Sequence, residues 1–330
     1  MSILKHLATL MILVLLPATP AATHGTTPGS PTDPHLRFTG RWDTSDPTAY
    51  RANWAGSYLT TRFTGTTATL LLRDPIDVWV SIDGGPDALL AAVSGRVPLT
   101  VPPGPRWHTL RVAYRNVDGS YTGDAVFRGL ALDPGARTAP WSPRKLVEFV
   151  GDSITRGSTS SRTTLTSYGW LAGERLGVRH THIAYGGGCL VSAEDGCAGM
   201  QERYFHQGFG ADSPLWDLNR YRADAIVLNL GTNDLSHNVP AADFQAVYVR
   251  FLHDLRAAHP GATILVLGTF AGRYLPETAA AVALADDPRT VFVDTTGWLP
   301  PEGLTDRVHP NDLGHQLIAD RLTPLLDAVL

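Results

Sequence analysis

The chain has 330 residues, 43% of them hydrophobic and 18% charged, with a formal net charge of −4. That length points to about two domains, and that composition to a folded protein with a sizeable core. A weakly acidic chain without a Lys/Arg cluster gives no electrostatic case for nucleic acid or an anionic membrane surface as a partner.

Lys5 precedes an apolar run from Leu7 to Leu16, and the small residues Ala18, Ala21 and Ala22 follow. A basic start, a short apolar core and a small-residue site are the layout of a secretory signal peptide, here residues 1–22. A span of the bilayer needs about 20 apolar residues, more than this run offers. The expectation is a secreted protein with no stable membrane association after cleavage. The Pro/Gly/Thr-rich residues 23–34 read as a disordered tail.

Residues 35–135 read as β structure. Short apolar-rich runs recur at Tyr58–Phe63, Ala68–Leu72, Val78–Ile82 and Thr109–Tyr114, punctuated by Asp83-Gly84-Gly85 and Pro102-Pro103-Gly104-Pro105. Short strands at regular spacing with Gly/Pro turns predict a β-sandwich or jelly roll. Three prolines and a glycine between Leu132 and Arg144 mark a boundary, with residues 136–144 as the linker.

Residues 145–330 change style. Apolar runs at Leu146–Val150, Arg179–Ala184, Ala225–Leu230, Thr263–Leu267 and Val291–Val293 alternate with helical periodicity, clearest over Ala242–Ala258 and Asp312–Val329. Nearly continuous apolar strands between helices predict a parallel sheet covered on both faces, an open three-layer α/β/α domain. Ligands of such sheets bind beyond the carboxyl ends of the strands. Three polar segments fall at such places: Gly151-Asp152-Ser153-Ile154, Gly231-Thr232-Asn233-Asp234, and Asp306-Arg307-Val308-His309-Pro310.

Serine needs a base to become a nucleophile. His309 supplies one, and Asp306, three positions earlier, can fix its tautomer and orientation. Acyl transfer also needs donors aimed at the developing oxyanion. The candidates are the Ser153 N–H, the Asn233 side-chain amide and a glycine N–H from Gly186-Gly187-Gly188, with Gly187 preferred and Gly186 the alternative. Cys189 and Cys197 are the only cysteines. An oxidising compartment favours a disulfide between them. Neither a metal-binding cluster nor a phosphate loop is evident, and no cofactor is expected. Asp152 reads as a turn-supporting residue, and Tyr204, Trp216 and Trp298 as core residues with sugar stacking as the alternative.

These blocks, in this order, resemble the SGNH (GDSL) hydrolase superfamily: G-D-S-I-T the serine block, G-T-N-D the asparagine block, D-x-x-H-P the histidine block. The resemblance implies a flavodoxin-like domain, Ser153 as nucleophile, His309 as base, Asp306 as its orienter, and Asn233 with one glycine in the oxyanion hole. The chain departs from the family before the glycines, where an asparagine is common and His182 stands here. The β region, with Trp54-Ala55-Gly56-Ser57, Phe63-Thr64-Gly65-Thr66 and Ile82-Asp83-Gly84-Gly85, is similar to that of carbohydrate esterase family 2, as is Trp216-Asp217-Leu218. That similarity implies an esterase removing O-acetyl groups from acetylated polysaccharides or oligosaccharides such as xylan. The alternatives are a lipase or thioesterase for longer acyl chains, and an inactive glycan-binding homologue.

Overall fold

A computed structural model of the chain describes residues 26–104, 106–115, 125–193 and 195–330. The signal peptide expected over residues 1–22 lies outside them. Nine strands form the first sheet: β1 (Arg37–Thr39), β2 (Trp42–Asp43), β3 (Tyr50–Ala52), β4 (Tyr58–Thr64), β5 (Ala68–Ile82), β6 (Ala88–Leu99), β7 (Trp107–Tyr114), β8 (Ala125–Leu132) and β9 (Thr138–Ala139). All pair antiparallel, in the order β1-β4-β7-β5-β8-β3-β2, with β6 on β5 and β9 on β4.

The two runs at 68–72 and 78–82 are one strand. Its first half lies against β8 and its second half against β7, and the register shifts between Leu72 and Ile76. Pro75 falls in that irregular stretch, where its missing N–H disturbs no regular ladder. The bend carries β5 from one layer of the sandwich to the other, so one continuous sheet folds around the core of Trp42, Leu59, Phe63, Leu70, Val78 and Phe127.

Two segments expected to be loose are ordered. In residues 26–34, the buried carboxylate of Asp33 accepts the N–H groups of Gly29 (2.7 Å) and His35 (2.9 Å) and the Thr138 hydroxyl (2.6 Å). The Gly29 carbonyl in turn accepts the Leu130 N–H. Three partners on one carboxylate offset its loss of water. The expected linker begins with β9, which adds to the edge of β4.

The second sheet is parallel: β10 (Leu146–Gly151), β11 (Arg179–Ala184), β12 (Ala225–Asn229), β13 (Thr263–Leu267) and β14 (Thr290–Val293), in the order β11-β10-β12-β13-β14. The helices are α1 (Ser153–Arg156), α2 (Tyr168–Leu176), α3 (Met200–Arg203), α4 (Ala241–Ala258), α5 (Leu275–Leu284) and α6 (Asp312–Asp327). Successive strand residues feed opposite cores. Ile226, Leu228, Ile264 and Val266 pack with Phe244, Phe251 and Leu255 of α4, while Val227, Leu265 and Leu267 pack with Ile318 and Leu322 of α6. A strand's period of two thus separates the two helical layers. This is the doubly wound order whose reversal at the first strand makes a ligand crevice.

β11 is an edge strand, and the first domain covers it. The Tyr58 hydroxyl accepts the His180 N–H, and Arg111 of β7 reaches Glu174 of α2. Deeper in the seam, Arg41 and Glu148 are both fully buried. Arg41 donates to the carbonyls of Tyr204 and His206 and to the Tyr221 hydroxyl, while the Tyr204 and Tyr221 hydroxyls donate to Glu148. The polar seam is therefore nearly satisfied, as burial of such groups demands.

Candidate active site

Strand β10 ends at Gly151 and α1 begins at Ser153. Asp152 is the cap: its Oδ1 accepts the Ile154 N–H at 2.8 Å. Capping is thus taken by the neighbour, which leaves the Ser153 hydroxyl for other work. It faces His309 Nε2 at 2.8 Å, and His309 Nδ1 lies 2.8 Å from Asp306 Oδ2. An ionised Asp306 can only accept, so Nδ1 carries the proton and Nε2 is the acceptor for Ser153. Ser153 is 9% exposed. The three groups expected as nucleophile, base and orienter therefore lie in line, brought together from two short segments of chain.

Asp306 is held from its other oxygen. Oδ1 accepts the N–H groups of Val308 and His309, both at 2.9 Å. These bonds, ahead of the imidazole itself, bring its carboxyl down to about 2. Its side chain is half exposed.

Asn233 begins the short turn after β12 but does not cap it. Its Nδ2 instead donates to the Gly188 carbonyl at 2.9 Å and more weakly to Asp152 Oδ2 at 3.4 Å. The serine, glycine and asparagine blocks are bonded together through this one amide. Among the described residues, no acceptor takes the N–H of Ser153, Gly186 or Gly187, whereas the Gly188 N–H is spent on the Tyr185 carbonyl. Gly187 adopts a left-handed φ of 80° with open space at its Cα, and the Arg156 guanidinium lies 2.8 Å from where a Cβ on Gly186 would be. Gly187 is thus the less crowded of the two.

The loop that carries these glycines is fastened by the disulfide expected from the sequence and by two carboxylates that sequence reasoning missed. Asp234, buried and next to Asn233, accepts the N–H groups of Leu190 and Val191, each at 2.9 Å. Cys189 and Cys197 are joined in a disulfide. Asp195 pairs with His237 at 2.7 Å. The only signal for Asp234 was its place in the asparagine block, where a helix cap explained it equally well. Asp152 is fully buried, and burial pushes its carboxyl up to about 6. His182, five positions before Gly187, is buried, and burial holds its imidazole well below the usual range. Tyr204, Trp216 and Trp298 are all buried, so none presents an open face for stacking.

Among the described residues, Cys189, Cys197 and His237 are the one cluster of potential metal ligands. Its two sulfurs are tied to each other, which leaves a single imidazole. No helix among the described residues is long and apolar enough to cross a membrane.

Residues 149–317 match the GDSL-like lipase/acylhydrolase family, and residues 38–141 match the carbohydrate esterase 2 N-terminal domain. The chain is 27% identical over 320 residues to the cellulase/esterase CelE of Acetivibrio thermocellus, covering 88% of this chain and 39% of that protein. It is 27% identical over 327 residues to an acetylxylan esterase/glucomannan deacetylase of Cellvibrio japonicus, covering 90% of each. In three dimensions it resembles a family two carbohydrate esterase from Clostridium thermocellum in complex with cellohexaose, with a TM-score of 0.76, 25% identity and coverage of 89% of this chain and 98% of that one. A family two carbohydrate esterase from Cellvibrio japonicus shares the fold, with a TM-score of 0.78 at 24% identity, over 91% of this chain and 96% of that one.

Proposed function

The chain belongs to the GDSL-like lipase/acylhydrolase family and is an esterase with a carbohydrate esterase 2 N-terminal domain, and from that premise we propose that it removes O-acetyl groups from polysaccharides such as xylan, outside the cell. The observation that carries the reading is the unbroken line Asp306–His309–Ser153, with hydrogen bonds of 2.8 Å on both sides of the imidazole.

Ser153 Oγ attacks the acetyl carbonyl carbon while His309 Nε2 takes its proton. Asp306 holds the proton on Nδ1 and stabilises the imidazolium that forms. Negative charge gathers on the former carbonyl oxygen. The N–H groups of Ser153 and Gly187 and the Asn233 amide receive it, Asn233 turning its weakly held N–H away from Asp152. One such donor is worth about 3–4 kcal/mol of barrier. When the tetrahedral centre collapses, the C–O bond to the sugar breaks and His309 gives its proton to the leaving hydroxyl. A water then attacks the acetyl-serine with His309 again as base, and acetate leaves. The 27% identity to an acetylxylan esterase/glucomannan deacetylase supports the acetyl and polysaccharide parts of this reading.

The test is acetate release from acetylated xylan and acetylated glucomannan, with Ser153→Ala as control. Release that persists in Ser153→Ala would refute the nucleophile. A preference for octanoyl over acetyl esters would refute the acyl group.

A further inference from the structure

Between the two sheets lies a cavity of about 90 Å³. The first domain contributes Thr39 and Trp42 to its wall, and the catalytic domain contributes Arg179, Thr181, Trp216 and Arg220. It is remote in function from the site described above. None of Ser153, Asn233, Gly187, Asp306 or His309 lines it.

The wall is unusual in its polarity. The Thr181 hydroxyl, the Trp216 indole Nε1 and the Arg179 Nε are buried and have no hydrogen-bond partner among the described residues. Thr181 is 1% exposed and Trp216 6%. Buried polar atoms rarely stay unpaired in a folded protein, so a group outside the chain is expected to meet them. The indole N–H and the guanidinium N–H can only donate, and the hydroxyl can also donate. Two guanidinium groups add positive charge. Among the described residues their hydrogen bonds go to neutral carbonyls, Arg179 to that of Arg144 and Arg220 to that of Trp42, and the Arg220 guanidinium also lies over the Trp216 ring at 4.6 Å from its centre. The carboxylates that act on Arg220, Asp217 and Asp43, are not part of the cavity wall. No carboxylate lines the cavity at all.

Unpaired donors of the catalytic domain thus line a space that Thr39, Gly40 and Trp42 of the first domain close, with no carboxylate in its wall. At roughly 30 Å³ per water, the volume suits an occupant the size of a few waters. We propose that this interdomain cavity binds a small inorganic anion, chloride or a tetrahedral oxyanion such as phosphate, which joins Thr181 on β11 to the turn between β1 and β2. An anion satisfies every donor through acceptor sites alone. Its binding to the folded chain and not to the unfolded one stabilises the joined domains by mass action.

The experiment is thermal unfolding of the full chain at constant ionic strength while gluconate, too large for the cavity, is exchanged for chloride, and separately for phosphate. The expected result is a saturable rise in Tm, on the order of 2–4 °C, that is absent in Thr181→Val. Valine keeps the β-branched shape in the strand and removes only the hydroxyl. A crystal of the unmodified protein soaked in bromide supplies the second readout, with an anomalous peak expected among Arg179, Thr181 and Trp216. Equal Tm in all anions together with an empty bromide map, the cavity then holding only water, overturns the proposal. A salt response that is linear and the same in Thr181→Val is a general solvent effect and overturns it as well.

Discussion

Replacing Asp306 by alanine and by asparagine should give different losses, in an order that the hydrogen bonds around it dictate. The carboxyl sits at about 2 against an ordinary 3.8, and the first two causes are the Val308 and His309 backbone N–H groups. The imidazole acts after them. With the side chain half exposed, solvent screening leaves its hold on His309⁺ at about 1 kcal/mol or less. Asp306→Ala removes that hold and lets water meet Nδ1, so kcat/KM should fall only about tenfold. Asp306→Asn keeps the side-chain oxygen, which the same two backbone N–H groups will capture. Its NH₂ is then turned toward His309 Nδ1, which must become an acceptor. The proton moves to Nε2, where it blocks the base that Ser153 needs. A loss of about 10²–10³ is expected, short of the roughly 10⁴ seen where such an aspartate is buried, because water reaches the half-exposed side chain at position 306 and can compete for Nδ1. The assay is 4-nitrophenyl acetate hydrolysis near neutral pH, with Tm measured alongside. An asparagine variant as active as the alanine variant, or more so, would show that Asp306 does not set the tautomer.

Three other outcomes follow from the geometry. Ionising the buried Asp152 disfavours the folded state, since its carboxyl is raised from 3.8 to about 6. The wild type therefore loses up to about 3 kcal/mol of stability as pH rises from 4 through 6. Asp152→Asn does not ionise, so its Tm should gain on wild type above pH 6 and converge with it near pH 4; a gap independent of pH contradicts the shift. Arg41→Met strands Glu148 without its cation, and urea unfolding should report a loss of about 3–5 kcal/mol with little change in the m-value. Replacing Cys189 and Cys197 together by alanine should cost about 2–3 kcal/mol in the same assay, and kcat should fall more than KM rises if the staple helps aim the glycine loop.

The candidate residues Ser153 and Asn233 were legible because they follow places where apolar runs stop, and His309 because an aspartate stands three positions before it ahead of the last helix; the structure brings all three segments to one place. The parallel strands were legible for the same reason, since each is buried on both faces and reads as an unbroken apolar run. Other features depend on partners far away in the chain. Asp33 looks like a tail residue until Gly29, His35 and Thr138 are seen around its carboxylate. β5 looks like two strands because Pro75 interrupts the pattern, while the pairing on either side keeps the chain extended through it. Arg41 and Glu148 carry no local sign that they will be buried together. Asp234 was visible, but a cap and a clamp on Leu190 and Val191 have the same sequence appearance.

The cover that Tyr58 and its neighbours place over β11 also bears on how the chain is made. Synthesis delivers the first sheet well before β11, and domains generally fold as units in order of emergence. A strand that would otherwise offer open N–H and C=O groups to any passing chain thus arrives to find its neighbour already built. Cut away from residues before 145, the catalytic sheet should form fibrous or amorphous aggregate rather than a smaller esterase. On that expectation the first domain is a tethered folding partner, and a module from another protein could replace it only by supplying the contacts that Tyr58, Arg111 and Arg41 make now.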